Sequence, residues 1–143
     1  MGVPFQVTFD AASPKRLAEF WKIALNYRTD DPPPEFSSWE EAMKSWGLPD
    51  DWDDANAIID PDGVGPRLWF QRVPEGKVAK NRVHLDVSPA RGIADPQERW
   101  STVLTHVERL VGAGGTVVEE RRGQLGEHWM VMTDPEGNEF CVQ

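Results

Sequence analysis

The chain reads as an α+β fold made of two tandem strand-helix-strand-strand-strand (βαβββ) modules, and three observations predict it. Strictly alternating stretches at residues 5–10 (FQVTFD) and 82–87 (RVHLDV) each lead into a helix that opens with a capping residue and a proline. Short phrases recur, FDAASP being echoed by LDVSP and LWFQRVPEG by HWMVMTDPEG, as expected of an internal duplication. The stretch from His128 to Gln143 (HWMVMTDPEGNEFCVQ) has the form of strand, tight turn and terminal strand. A module of this kind buries its helix against one face of its sheet and leaves the other, curved face to enclose something.

In the first strand Phe5, Val7 and Phe9 share one face, with Gln6, Thr8 and Asp10 on the other. Ser13 and Pro14 supply an N-cap and a proline at the first helical position, and Leu17, Phe20, Trp21, Ala24 and Leu25 recur at helical spacing. From about residue 30 to 54 the composition changes: three prolines at 32–34, a short capped helix in SSWEEAMKSWG, then the acidic PDDWDD. This segment reads as an insertion. Strands follow at 57–59 and 67–73, separated by the turn Asp60-Pro61-Asp62-Gly63. The first module therefore covers 1–76 and the second 82–143, within a single domain spanning 1–143.

The second module starts its pattern over, with Val83, Leu85 and Val87 facing away from Arg82, His84 and Asp86. Asp95-Pro96 opens a helix whose stripe is Trp100, Val103, Leu104, Val107, Leu110 and Val111, and Gly112, Gly114 and Gly115 stop it. A strand at 116–119 and a turn at 123–126 precede the terminal hairpin. Its turn, Asp134-Pro135-Glu136-Gly137-Asn138, reverses the chain cheaply because proline presets φ and glycine supplies a left-handed position. From Asp10 to Pro74 the chain runs 64 residues and from Asp86 to Pro135 it runs 49, and the excess falls in the insertion.

With 143 residues, 39% of them hydrophobic, the chain can bury one sizeable core. Its 24 acidic residues outnumber 15 basic ones, a net charge of -9, which argues against a nucleic acid or an anionic membrane as partner. One cysteine forms no internal disulfide, and MGVPFQVTFD lacks the basic start and apolar run of a secretory signal, so the expected compartment is cytoplasmic. Seven tryptophans against one tyrosine fit either core packing or a wide apolar cavity.

Period two fixes which side chains share a face. If the apolar residues meet the helices, the concave side carries Gln6, Thr8, Trp69, Gln71, Arg82, His84, Glu139 and Cys141, with Trp129 placed in the second half as Trp69 is in the first. This polar, mixed set suits a pocket that orients a small polar molecule and moves a proton. His84 beside Glu139 makes a general base oriented by a carboxylate, against a plain hydrogen bond to Asp86. Cys141 is a candidate nucleophile or a small buried hydrophobe. Arg82 either clamps an anionic group of the ligand or pairs with Asp86 or Glu139. Surface roles are the reading for His106 and His128, the latter within reach of the cup mouth, and the insertion is a candidate lid or contact surface.

The duplicated plan, the FDAASPKRLAEFW opening, the RVHLDV start of the second half and the DPEGNEFCV ending resemble the vicinal oxygen chelate superfamily. Within it, the similarity is to the small bacterial glyoxalase-like (glyoxalase/bleomycin resistance/dioxygenase) domains, over nearly the whole chain apart from the insertion. The resemblance implies a cupped eight-stranded mixed sheet with helices on the outer face, a small-molecule ligand, a homodimer, and a divalent metal held by His and Glu from the first and last strands of each module. Carried over residue by residue, those slots fall on Gln6, on Trp69 or Gln71, on Arg82 with His84 two residues on, and on Cys141 with Glu139 two residues before. The donors that remain are His84, Glu139 and Cys141, for which zinc, nickel or iron(II) are the metals to consider. Two functions follow from the resemblance: a lyase or isomerase of glyoxalase I type that transfers a proton through His84 or Glu139, with or without metal, and a non-enzymatic, bleomycin-resistance-like protein that sequesters a planar or cationic compound.

Overall fold

A computed structural model describes all 143 residues. In chain order the elements are β1 (Val7–Ala11), α1 (Pro14–Leu25), β2 (Arg28–Thr29), α2 (Trp39–Ser45), β3 (Ala55–Ile59), β4 (Leu68–Arg72), β5 (Asp86–Val87), α3 (Pro96–Gly112), β6 (Thr116–Arg122), β7 (His128–Thr133) and β8 (Glu139–Val142). They build two four-stranded mixed sheets in the orders β1-β4-β3-β2 and β5-β8-β7-β6. Each sheet pairs its first strand in parallel with its last, β1 with β4 and β5 with β8, and is otherwise antiparallel. The eight strands are thus divided four and four, with no ladder joining β1 to β5 across the seam between the modules.

This topology corrects one of the sequence echoes. Because β4 occupies in the first sheet the place of β8 in the second, LWFQRVPEG does not correspond to HWMVMTDPEG, and Trp69 and Trp129 are not equivalents. The true counterpart of the Asp134 turn is Asp60-Pro61-Asp62-Gly63, between β3 and β4. Both turns are built alike: the Asp60 carboxylate accepts from the amides of Asp62, Val64 and Gly65, and that of Asp134 from the amides of Glu136 and Asn138. The insertion stands where expected, as the connection from β2 to β3, where the second module has only residues 123–127. The two-residue strand β2 had no sequence signal, and β5 is reduced to Asp86–Val87, the two residues that pair with Cys141 and Val142 of β8.

Both helices open as their sequences predict. The Ser13 hydroxyl accepts from Arg16 N and the Asp95 carboxylate from Glu98 N, each followed by proline. Helix α1 ends on Asn26 in the left-handed region (φ 54°). Its buried face, Leu17, Phe20, Trp21 and Ala24, lies in one continuous core with Ile58, Leu68 and Phe70 of the first sheet and Met130, Met132, Phe140 and Val142 of the second. Phe140 is the bridge, packing edge-on against Trp21 and Phe20 at centroid distances of 5.1 and 5.7 Å. The modules are therefore welded through helices and aromatic rings, not through strands. His106, expected at the surface, is buried in this layer with Nε2 2.9 Å from the Ala24 carbonyl at the end of α1, and burial lowers its pKa.

Candidate functional site

The sequence sorts side chains to faces correctly. Thr8 and Asp10 lie opposite Trp69 and Gln71, and Gln71 Nε2 donates to Asp10 Oδ1 at 2.9 Å. Asp86 lies opposite Cys141, and His84 stands two residues back on the same face. Between β1 and residues 83–85, which lead into β5, the unpaired seam opens into a crevice of about 660 Å³, a size suited to a small organic molecule. Its apolar lining includes Val7, Phe9, Leu85 and the exposed Val83, and the buried Trp21 lies 5.1 Å from Phe9 between ring centroids. Its rim carries Thr8, Asp10, His84, Glu75, Glu136, Glu139, Lys77 and Asn81.

Of the predicted site residues, the crevice brings together Thr8, His84 and Glu139, while Gln6, Trp69, Gln71, Arg82, Trp129 and Cys141 lie outside its lining. Gln6 accepts from Arg67, whose guanidinium also lies 5.1 Å above the Trp69 ring. Arg82 is exposed and pairs with neither candidate, because Lys77 takes Glu139 and His84 takes Asp86. Trp129 faces Arg121 across β6 and β7. His128 points to the opposite, helix side, stacked on Trp100 and 2.5 Å from Glu120, so it does not reach the crevice. No residue of the insertion lines the crevice. Asp53 instead docks on the start of α1, accepting from the Ser13 hydroxyl at 2.6 Å and from Lys15 N at 2.7 Å.

Glu139 does different work from the base or ligand that its position predicts. Its carboxylate accepts from Asn81 N at 3.0 Å and from Lys77 Nζ at 3.1 Å, tying the linker between the modules to β8. The Asn81 amide above all, with help from the Lys77 ammonium, holds its pKa well below the usual carboxylate range, at about 2. A carboxylate so stabilised is a poor proton acceptor at neutral pH, and it does not orient His84. Asp86 does, with Oδ1 3.3 Å from His84 Nε2. The Cys141 thiol is pushed up by burial and then by the Asp86 carboxylate, which removes the basis for a nucleophile. The predicted donor trio of His84, Glu139 and Cys141 is likewise replaced: the three donors that converge are His84, Asp86 and Cys141.

Sequence reasoning misses the linker partners Lys77 and Asn81 and the burial of Asp134, which the sequence pattern marks only as a turn residue. Asp134 Oδ2 accepts from Trp21 Nε1 at 3.0 Å and from Asn138 Nδ2 at 2.8 Å, and burial raises its pKa despite these bonds. The neighbouring Glu136 accepts from the amides of Ala12 and Ser13 at the start of α1. The signal was present in the phrase DPEGN, whose carboxylates have more acceptor sites than a turn alone consumes.

The model of the glyoxalase-like domain family matches residues 6–143. No curated protein matches the chain. Among solved structures, a glyoxalase/bleomycin resistance protein/dioxygenase family enzyme from Burkholderia phytofirmans PsJN superposes with a TM-score of 0.62 at 14% identity, covering 96% of this chain and 94% of that one. The fosfomycin resistance protein FosX from Mesorhizobium loti gives 0.62 at 10% identity, covering 100% and 91%. FosX from Listeria monocytogenes, solved with Mn(II) and 1S,2S-dihydroxypropylphosphonic acid, gives 0.61 at 13%, covering 99% and 88%. These likenesses establish the fold. A hard cation such as Mn(II) is poorly matched by the side chains of this chain, where glutamine, tryptophan, arginine and a protonated thiol stand at the slots in question. By its sequence the chain belongs to the glyoxalase-like domain family.

Proposed function

We propose that this protein is a small-molecule-binding member of its family that holds a planar, cationic compound in the crevice between β1 and β5, in the manner of a bleomycin-resistance-like sequestering protein. The observation that carries the reading is the pairing of an aromatic and aliphatic lining, Val7, Phe9 and Leu85, with a rim on which Asp10, Glu75, Glu136 and Glu139 outnumber Lys77. An apolar lining takes a flat ring system out of water, and a rim of net negative sign favours a cation above it. The ligand reading draws further support from Glu139, whose proton-accepting capacity is spent on the linker. Titration of the protein with planar cationic dyes and bleomycin-type glycopeptides, followed by tryptophan fluorescence and calorimetry, tests it. One-to-one binding that weakens on Asp10→Asn with Glu75→Gln supports it, and equal affinity for neutral and anionic analogues of the same shape refutes the cation preference.

A second reading, proton transfer in a lyase or isomerase, rests on one observation: His84 lines the crevice with Asp86 positioned to orient its ring. Turnover of a small oxygenated substrate that disappears in His84→Ala and survives in Glu139→Gln would favour it. A homodimer in the cytosol is the assembly and setting we propose for either reading; no helix is long and apolar enough to cross a membrane.

A further inference from the structure

We infer that a groove on the helix side of the second module, between the start of α3 and the turn joining β6 to β7, binds a hydroxylated small molecule that carries a phosphate or carboxylate group. The groove encloses about 1050 Å³ and shares no lining residue with the crevice. Three guanidiniums line it, those of Arg91, Arg99 and Arg122, in a chain whose net charge is -9. Its local sign is therefore opposite to that of the molecule as a whole, and an anion is attracted here rather than elsewhere on the surface.

The local fold sets these groups before any ligand arrives. Gly92, at φ 89°, turns the loop after β5 back towards α3, and bonds from Arg91 N to Ser88 O and from Ile93 N to Ala90 O brace it. The Ile93 carbonyl so placed accepts from Arg99 Nε and Nη2 at 2.9 and 2.7 Å, which fixes that guanidinium and leaves Nη1 for an oxyanion. Neither Arg91 nor Arg99 has a carboxylate partner. Arg122 Nη2 lies 3.7 Å from Glu120 Oε1, an atom that His128 Nε2 already holds at 2.5 Å. The acids of the groove itself are occupied or remote. Glu127 accepts from Leu125 N within its own turn, and Glu108 stands nine residues beyond Arg99, about 13 Å along α3. The His128 ring stacked on Trp100 walls the arginine end. Beyond it the lining is polar, with Ser88, Gln97, Ser101 and Thr105, and only Ala90, Trp100 and Leu104 are apolar. Such hydroxyls and amides bond the hydroxyl groups of a sugar-like body and suit an apolar one poorly, while planar guanidiniums match the paired oxygens of phosphate or carboxylate.

Calorimetric titration of the full-length protein at low salt with glucose 6-phosphate and with glucuronate tests this, glucose serving as the uncharged control. One-to-one binding is expected for at least one of the two anions and none for glucose, and the anion that binds more tightly identifies the group the arginines take. Arg91→Gln combined with Arg99→Gln is expected to weaken binding tenfold or more, and Arg122→Gln several-fold, with both effects shrinking as salt is raised. All three side chains are exposed, so the variants are expected to fold, which circular dichroism verifies. Binding of neither anion, equal binding of glucose, or unchanged affinity in the folded double variant overturns the proposal.

Discussion

Trp21 Nε1 donates to Asp134 Oδ2 across 3.0 Å of buried space, joining the helix of the first module to the last turn of the second. Neither group has a route to solvent, so each satisfies the other. Asp134→Ala leaves the indole N–H without its acceptor and the Asn138 amide without a partner, and is expected to destabilise the fold by about 2–4 kcal/mol. Trp21→Phe instead removes one donor from a carboxylate that still accepts from Glu136 and Asn138, and is expected to cost less. Because burial raises the Asp134 pKa, the folded protein disfavours its charged form. The cost is absent below the unfolded value of about 3.8 and grows as pH rises through the raised folded value. Urea unfolding of both variants between acid and neutral pH measures this, and a loss below about 0.5 kcal/mol would show that the bond contributes little.

Glu139 titrates with the opposite sign. Its folded pKa of about 2 lies below the ordinary 4.5, so its contribution is complete above about pH 4.5 and is lost as pH falls towards 2. Glu139→Gln is expected to cost about 1–2 kcal/mol at neutral pH, allowing for its partial exposure, with the gap to the parent protein narrowing below pH 4.5. Lys77→Met should reproduce only a minor part of that loss, since the Asn81 amide is the larger cause. Thermal unfolding across pH 2–7 would expose the error if the gap widened in acid.

Phe140 connects the two halves of the core at 1% exposure. Its replacement by alanine is expected to cost about 3–5 kcal/mol and to lower a single unfolding transition. Two separated transitions by fluorescence and far-ultraviolet circular dichroism would instead mark the modules as independent.

The Cys141 thiol is half-buried beside a carboxylate, so alkylation by iodoacetamide at pH 7.5 is expected to run several-fold slower than for a free thiol. Asp86→Asn, which removes the neighbouring charge, should speed it. A rate equal to that of glutathione would contradict the shift.

Much of this was legible beforehand because local rules operate over a few residues. The Ser13-Pro14 and Asp95-Pro96 caps, the stripe from Leu17 to Ala24 and the pleat that puts Thr8 with Trp69 and Asp86 with Cys141 all follow from spacing alone. What escaped depends on chain topology. The partners of Glu139 sit 62 and 58 residues away in a linker with no periodicity, and nothing in DPEGNE announces them. The echo between LWFQRVPEG and HWMVMTDPEG misled because β-turn chemistry repeats wherever a chain reverses; only the parallel pairing of β4 with β1 reveals which strands are equivalent. His106 looked like a surface residue because its partner, the Ala24 carbonyl, belongs to the other module.

Since β1 and β5 share no ladder, the gap between them is governed by ring contacts and the helix layer rather than by amide bonds of fixed length. Ladder spacing is quantised at roughly 4.8 Å per strand, whereas side-chain packing yields by fractions of an ångström. A molecule thicker or thinner than a single aromatic ring can therefore be admitted by a slight rocking of one half-sheet against the other, with every strand pair left intact.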